Sequence, residues 1–206
     1  MESLTEKIRR AVENSPDGIA ELEILESLRL CDKSTLKTTM SRLSKSGKII
    51  RLKRGVYSSN PIRDAFAAAQ HTYNGYLGFS SALYIHRLIT ELPFLVTVVT
   101  THRSASMAIG AYEFKAVAMK EKAIGFENIG NLTVSTRAKT LFDCLYLERY
   151  SIEIDKLIDA YRTSKLSAAE LKEFDSYVNR FVSKGMRSKF DKIKKTITSK
   201  GRLKWN

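Results

Sequence analysis

The chain contains little cysteine and has no long hydrophobic segment. Its 206 residues include only two cysteines, Cys31 and Cys144, which are far apart and form no CxxC pair. This excludes a disulfide framework and predicts reduced thiols in a cytoplasmic protein. The longest apolar run, LPFLVTVVT at 92–100, is too short to span a bilayer, and the start MESLTEKIRR is charged where a signal peptide would be apolar. We therefore expect no membrane partner.

The sequence also lacks the common motifs of catalysis and cofactor binding. It contains neither the GxxxxGK[ST] nor the GxGxxG phosphate-binding pattern. Its three histidines, His71, His86 and His102, show no HxH or HExxH spacing and have no cysteine cluster beside them. No serine, cysteine and histidine are arranged as a nucleophile and its base. We expect no metal, no cofactor and no enzymatic activity, and we expect a structural hydrogen bond for His86.

What the chain has in excess is positive charge. The formal net charge is +13 and the hydrophobic fraction, 43%, is sufficient for a packed core. Residues 30–60 contain 8 basic and 1 acidic side chains, residues 61–175 contain 13 of each, and residues 176–206 contain 10 and 1. Because the charge is concentrated in two segments, we expect a polyanion, such as a nucleic acid, as the partner.

The first 60 residues show the pattern of three helices and a hairpin. Ser3 with Glu6 predicts the start of the first helix, and IAELEILESLRL at 19–30 predicts a second with Ile24, Leu25 and Leu28 at helical spacing. The third helix is predicted by an apolar stripe over 36–43 and ends at Gly47.

The hairpin IIRLKRGVYSSN follows directly at 49–60. Asn60 and Pro61 then predict the cap and first residue of a further helix, which places a domain boundary near residue 60. This order predicts a winged helix-turn-helix domain over residues 1–60.

The third predicted helix has a polar face suited to a DNA groove. If Leu36, Met40 and Leu43 face the core, the opposite face presents hydroxyls and cations. Lys37 and Thr38 are the predicted contacts to base edges. The predicted phosphate contacts of this face are Lys33, Ser41, Arg42 and Lys45. Ser34 is the remaining exposed hydroxyl of the face.

The hairpin adds three cations. Alternation along the strand places Ile50 and Leu52 on one side and Arg51 and Lys53 on the other, with Arg54 and a glycine at the turn. We expect Arg51, Lys53 and Arg54 to contact the DNA backbone or an adjacent minor groove.

Residues 61–206 predict a second, mixed α/β domain, so that the whole chain belongs to the α+β class. FLVTVVTTH and YEFKAVAM are typical of strands, NLTVSTRAKTLFDCLYLERY predicts a strand followed by a helix capped at Ser135 or Thr136, and Ser167 with Glu170 caps a later helix. We expect a small sheet, a helical C-terminal end and a basic tail from Ser183 that includes Trp205.

Two other functions remain open. Glu113 and Lys115, two residues apart on a predicted strand, would fit a metal-dependent nuclease if a neighbouring strand supplied another acid. The second alternative is an RNA- or protein-binding module that acts through the basic tail.

Three segments, in order, resemble the AbiEi-type antitoxins. They are STLKTTMSRLSKSGKIIRLKRGVY at 34–57, SALYIHRL at 81–88 and VSTRAKTLFDCLY at 134–146, although Arg87 stands where the family often has glycine. The resemblance implies a transcriptional regulator from a type IV toxin–antitoxin operon. Its winged helix would bind double-stranded DNA at inverted repeats in its own promoter, and its second domain would protect against a nucleotidyltransferase-like toxin.

Overall fold

The computed structural model describes residues 2–199 and confirms the α+β class. The described residues divide into two units, one formed by residues 2–74 with 108–112 and the other by residues 75–107 with 113–199. The predicted boundary near residue 60 falls at the end of a strand, and the first unit continues through one more helix.

The first unit combines four helices with a three-stranded antiparallel sheet in which the third strand is central. Its elements are α1 (Leu4–Glu13), β1 (Ile19–Glu21), α2 (Leu22–Ser27), α3 (Lys33–Lys45), β2 (Ile49–Lys53), β3 (Val56–Ser59) and α4 (Ala65–Thr72).

The ends of α1 and α3 are fixed by local side-chain and backbone hydrogen bonds. Ser3 caps α1 as predicted, since its hydroxyl accepts from the Glu6 N–H at 3.2 Å. Asp32 caps α3 by accepting from two backbone N–H groups. At the other end of α3, the Lys48 N–H donates to the Leu43 carbonyl at 2.9 Å while Gly47 has a φ of 69°. This Schellman arrangement confirms the predicted stop.

The core of the first unit is built around the predicted apolar stripe of α3. Leu36, Met40 and Leu43 are each at most 2% exposed and pack with buried residues of α1, α2 and β2. The second predicted helix forms as α2, and Leu25 is its buried residue. Ile24 in α2 and Leu28 at its C-cap remain 57% and 51% exposed.

The hairpin forms as predicted, but the side chains of its first strand do not alternate between the two faces as predicted. The pairing of β2 with β3 shifts between Arg51 and Lys53, which is a β-bulge. The extra residue changes which side chains face inward, so that Ile49 and Leu52 are buried and Ile50 is only partly so. Arg51 stays exposed, as predicted.

The helix after the hairpin begins later than Asn60 and Pro61 predict. Its cap is Asp64, whose carboxylate accepts from the Phe66 and Ala67 N–H groups at 2.8 and 3.0 Å. Asn60 instead donates its side-chain amide to the Gly47 carbonyl at 2.6 Å. This bond connects the end of the hairpin to the end of α3.

Gly18 is the glycine of this unit that tolerates a side chain least. Its φ is +70°, and a Cβ there would lie 2.6 Å from Ser59 Oγ. We expect Gly18→Ala to lower the free energy of unfolding by about 2–4 kcal/mol, measured by urea denaturation. Gly47→Ala is the matched control, because Gly47 has a similar φ and no atom within 4 Å of the added Cβ, so its cost should be about 1–2 kcal/mol. Equal costs would contradict the steric account.

The second unit contains most of a six-stranded mixed sheet with helices packed on it. The strand order is β6-β7-β5-β4-β9-β8, with β5 parallel to β7 and β4 parallel to β9. The elements are β4 (Tyr76–Leu77), α5 (Phe79–Ile85), β5 (Leu95–Thr100), β6 (Ala105–Ile109), β7 (Tyr112–Ala118), β8 (Phe126–Ile129), β9 (Leu132–Ser135), α6 (Arg137–Tyr146), α7 (Ile154–Ser164), α8 (Ala168–Phe181) and α9 (Lys184–Thr198).

The C-terminal end of the unit is helical, as predicted. Thr136 caps α6, and Ser167 forms a complete capping box with Glu170 at the start of α8. The segment predicted as a basic tail is helical from Lys184 to Thr198. Trp205 lies outside the described residues.

Candidate nucleic-acid interface

A groove in the first unit brings the exposed face of α3 together with the hairpin. Its volume is about 750 Å³, and the start of α2 forms its remaining side. Six of the ten predicted site residues line it: Lys33, Lys37, Ser41, Arg51, Lys53 and Arg54. The other four, Ser34, Thr38, Arg42 and Lys45, are on α3 but do not line the groove. Two cationic segments that follow one another in the sequence thus meet at one concave surface.

The hydroxyl of Thr38, a predicted base-edge contact, already has a local hydrogen bond. The Thr38 hydroxyl donates to the Ser34 carbonyl at 3.0 Å, one helical turn earlier. Thr38 therefore presents acceptor lone pairs outward, which limits it to partners that donate a hydrogen bond. Lys37 is exposed beside it and makes no hydrogen bond with the described part of the chain, so its ammonium can donate to a partner in the groove.

Among the predicted phosphate contacts of α3, Lys33 is the one that forms an ion pair with another described residue. Its ammonium donates to Glu26 Oε2 at 2.8 Å, and this bond, together with the negative charge of Glu26, raises the pKa of Lys33. Glu21 and Glu23 also line the groove. The sequence prediction did not include these carboxylates, although the acidic excess of residues 1–29, with 7 acidic and 4 basic side chains, is the signal that points to them.

Buried side chains anchor the cationic hairpin to the rest of the unit. Leu52, Val56 and Tyr57 are 2%, 5% and 7% exposed and fix the hairpin to the helices. The Leu22 N–H donates to the Gly55 carbonyl at 2.7 Å, which ties the turn to the start of α2.

Two of the three hairpin cations have no acidic partner. Arg51 and Arg54 are exposed and form no ion pair with any residue between 2 and 199. Lys53 is half-buried and donates to the Asn74 side chain at 2.8 Å, a neutral partner that leaves its charge in place. The hairpin therefore presents three cations without ion-pair partners among the described residues, in a groove that Glu21, Glu23 and Glu26 also line.

The strands that would hold a nuclease site supply only one acid. Glu113 of β7 lies opposite Leu95 of β5, and Lys115 lies opposite Thr97, so the neighbouring strand brings no carboxylate beside them. Within residues 2–199, no three His, Cys, Asp or Glu side chains are grouped closely enough to hold a metal ion. His86 Nε2 lies 2.7 Å from the Ser135 carbonyl, in agreement with the structural hydrogen bond expected for it.

The second unit contains a buried ion pair that the sequence prediction did not include. Lys139 and Asp143, one turn apart on α6, are both fully buried, with Nζ 2.5 Å from Oδ1. The ammonium also donates to the Tyr76 hydroxyl at 3.3 Å and lies 5.4 Å from the centre of the Phe142 ring. The second carboxylate oxygen, Oδ2, accepts no hydrogen bond from the described part of the chain.

Burial disfavours the charged form of both partners. It raises the pKa of Asp143 to about 6 and lowers the pKa of Lys139, while the attraction between the two charges acts in the opposite direction. Since neither side chain is exposed to solvent, we assign the pair a structural role in the core. The i, i+4 spacing is visible in the sequence, but a pair at this spacing usually lies on a helix surface.

Comparison with models of known protein families gives no match, and comparison with curated proteins gives none either. Among the described residues, every helix is too short or too polar to cross a lipid bilayer.

Proposed function

We propose that the protein is a sequence-specific DNA-binding transcriptional regulator and that its first unit is a winged-helix domain. The observation that supports this most is the groove in which the exposed face of α3 meets the cationic hairpin. A recognition helix followed by a basic β-ribbon is a frequent way to contact a major groove and the adjacent backbone together.

The proposal gives the residues different roles. Lys37 and Thr38, near the start of α3, would contact base edges, where they determine sequence preference. Arg51 and Arg54 would contact phosphates or a narrow minor groove, where they contribute affinity for any sequence. Lys33 would contribute less than the other lysines, because it is already paired with Glu26.

On the strength of the resemblance, we further propose that the protein is a cytoplasmic, autoregulating antitoxin without enzymatic activity. Its operator would then be inverted repeats upstream of its own gene, and the partner gene would encode a nucleotidyltransferase-like toxin. Co-expression of the adjacent open reading frame tests this directly. Growth arrest by that frame alone, relieved by this protein, would support the antitoxin role, and an adjacent frame without toxicity would contradict it.

The DNA-binding proposal is tested by comparing the duplex upstream of the gene with random duplexes of the same length, by fluorescence anisotropy. We expect tighter binding to the upstream duplex by a factor of about 10³ or more. No preference between the two would contradict a sequence-specific regulator.

Substitutions on α3 should separate the preference for the upstream duplex from the affinity for duplexes of any sequence. We expect Lys37→Ala with Thr38→Ala to reduce the preference by about 30-fold or more, since two base-edge interactions worth about 1–3 kcal/mol each are removed. Binding to random duplexes should change far less. Ser46→Ala, at the exposed end of α3 and outside the groove, is the control. A uniform loss on all duplexes would show that Lys37 and Thr38 contact only the backbone.

A further inference from the structure

The described part of the second unit ends in a strongly basic helix, α9. No residue of this helix lines the groove described for the first unit. Helix α9 has a buried apolar face formed by Phe190, Ile193 and Ile197, each at most 7% exposed. Its opposite face presents lysines and is otherwise polar. The helix is thus held firmly in the unit while its basic face remains in solvent.

Only some of the lysines of α9 have acidic partners. Lys194 donates to Asp175 at 2.6 Å, and Lys189 pairs with Glu148 and donates to the Leu145 carbonyl at 3.1 Å. Both paired lysines are half-buried at the edges of the helix. They help to attach α9 to the unit and leave little charge for a partner.

Three other lysines, Lys184, Lys192 and Lys195, are exposed and make no ion pair within the described residues. At about 100° per residue they lie within about 80° of one another around the helix axis. The first and last are about 16 Å apart along that axis, which matches about five base pairs of duplex. The one acid of the helix, Asp191, is exposed on the same side and lowers the charge of this face by one.

We propose that the face formed by Lys184, Lys192 and Lys195 is a second, sequence-independent binding site for the phosphate backbone of double-stranded DNA. Three ammonium groups on a rigid helix fit a row of phosphates, and they carry no base-reading geometry. An anionic membrane is a poorer partner, since the apolar face that would enter it is buried in the unit.

The choice of DNA rests on the function proposed above for the first unit. Because both units belong to one chain, a first unit bound to DNA keeps α9 at a high effective concentration near the same molecule. A weak backbone contact would then add substantially to the affinity of the whole chain.

The test is the full-length triple variant Lys184→Gln, Lys192→Gln, Lys195→Gln. We expect the slope of log K against log salt to become less steep by about 2 to 3, at about 0.9 for each phosphate that is no longer neutralised. Affinity at about 0.1 M salt should fall on the order of 10- to 100-fold, by the same factor on upstream and random duplexes. The preference for the upstream duplex over random duplexes should therefore stay unchanged.

The control variant, Lys156→Gln, Lys165→Gln, Lys172→Gln, removes the same charge from lysines elsewhere in the second unit. It should leave the slope nearly unchanged. An equal loss in both variants would show that net charge, not this face, is responsible, and would overturn the proposal, as would an unaltered slope in the α9 variant. Thermal unfolding of all three proteins verifies that the substitutions leave the fold intact.

Two further outcomes separate this proposal from the function of the first unit. If the wild-type protein shows no sequence preference but the α9 variant still loses affinity, the α9 site stands and the proposed regulator function fails. Double-stranded RNA of equal length, added as a competitor, should displace the protein less effectively than DNA. Equal displacement would overturn the choice of DNA.

Discussion

Replacing Lys139 by methionine should lower the free energy of unfolding by about 3–5 kcal/mol. The substitution keeps the length and the apolar stem of the side chain but removes the ammonium that pairs with Asp143 Oδ1 at 2.5 Å. Asp143 is fully buried and its Oδ2 already accepts no hydrogen bond from residues 2–199, so the variant leaves this acid without a charge partner and it must take up a proton to stay in the core. Urea denaturation at about pH 7 measures the loss.

The double variant Lys139→Met, Asp143→Leu is the control for this first prediction. It removes both charges together and fills the space with apolar groups that suit the surrounding Tyr76 and Phe142 rings. Because replacing a whole buried pair is often neutral or stabilising, we expect most of the stability to return. A double variant as unstable as the single one would mean that the volume and packing of Lys139, not its charge, stabilise the core.

Reversing two hairpin charges, Arg51→Glu and Arg54→Glu, should have the largest effect on DNA binding. Both side chains are exposed, line the groove and lack an acidic partner within residues 2–199. Each substitution removes a phosphate contact and places a negative charge near the backbone. We expect the affinity for any duplex to fall on the order of 10²- to 10³-fold at about 0.1 M salt, and the salt slope to become less steep by about 2.

A matched charge reversal at Lys7 and Lys165, which lie outside the groove, should weaken binding only slightly. The measurement is fluorescence anisotropy on the upstream and random duplexes between about 50 and 200 mM salt. If the two double variants bind equally, the hairpin is an ordinary basic turn. Circular dichroism of the hairpin variant would verify its fold, since the buried Leu52, Val56 and Tyr57 that anchor the hairpin are unchanged.

Features that depend on nearby residues were predictable from the sequence. The apolar stripe of α3, its stop at Gly47 and the capping box of Ser167 with Glu170 involve residues three to seven positions apart, so one short segment contains the whole signal. The existence of the cationic hairpin directly after α3 was likewise predictable, because its turn residues and its two strands are adjacent in the sequence.

Features that depend on long-range packing were not predictable. The bulge in β2 arises from pairing with β3 and changes the inward residue from Ile50 to Ile49. The carboxylates of α2 enter the groove because the start of α2 is tied to the hairpin turn by the bond from Leu22 to Gly55. The segment predicted as a tail forms α9 because Phe190 and its apolar neighbours pack on helices more distant in sequence.

The salt dependence of binding to the upstream duplex tests the central claim most directly. If the α3 face and the hairpin together neutralise about six phosphates, they should contribute about −5 to the slope of log K against log salt, to which the α9 face of the full chain adds about −2 to −3. The same titration on random duplexes should give weaker binding throughout. A slope near zero, or equal affinity for upstream and random duplexes, would contradict the proposal that this protein is a sequence-specific DNA-binding regulator.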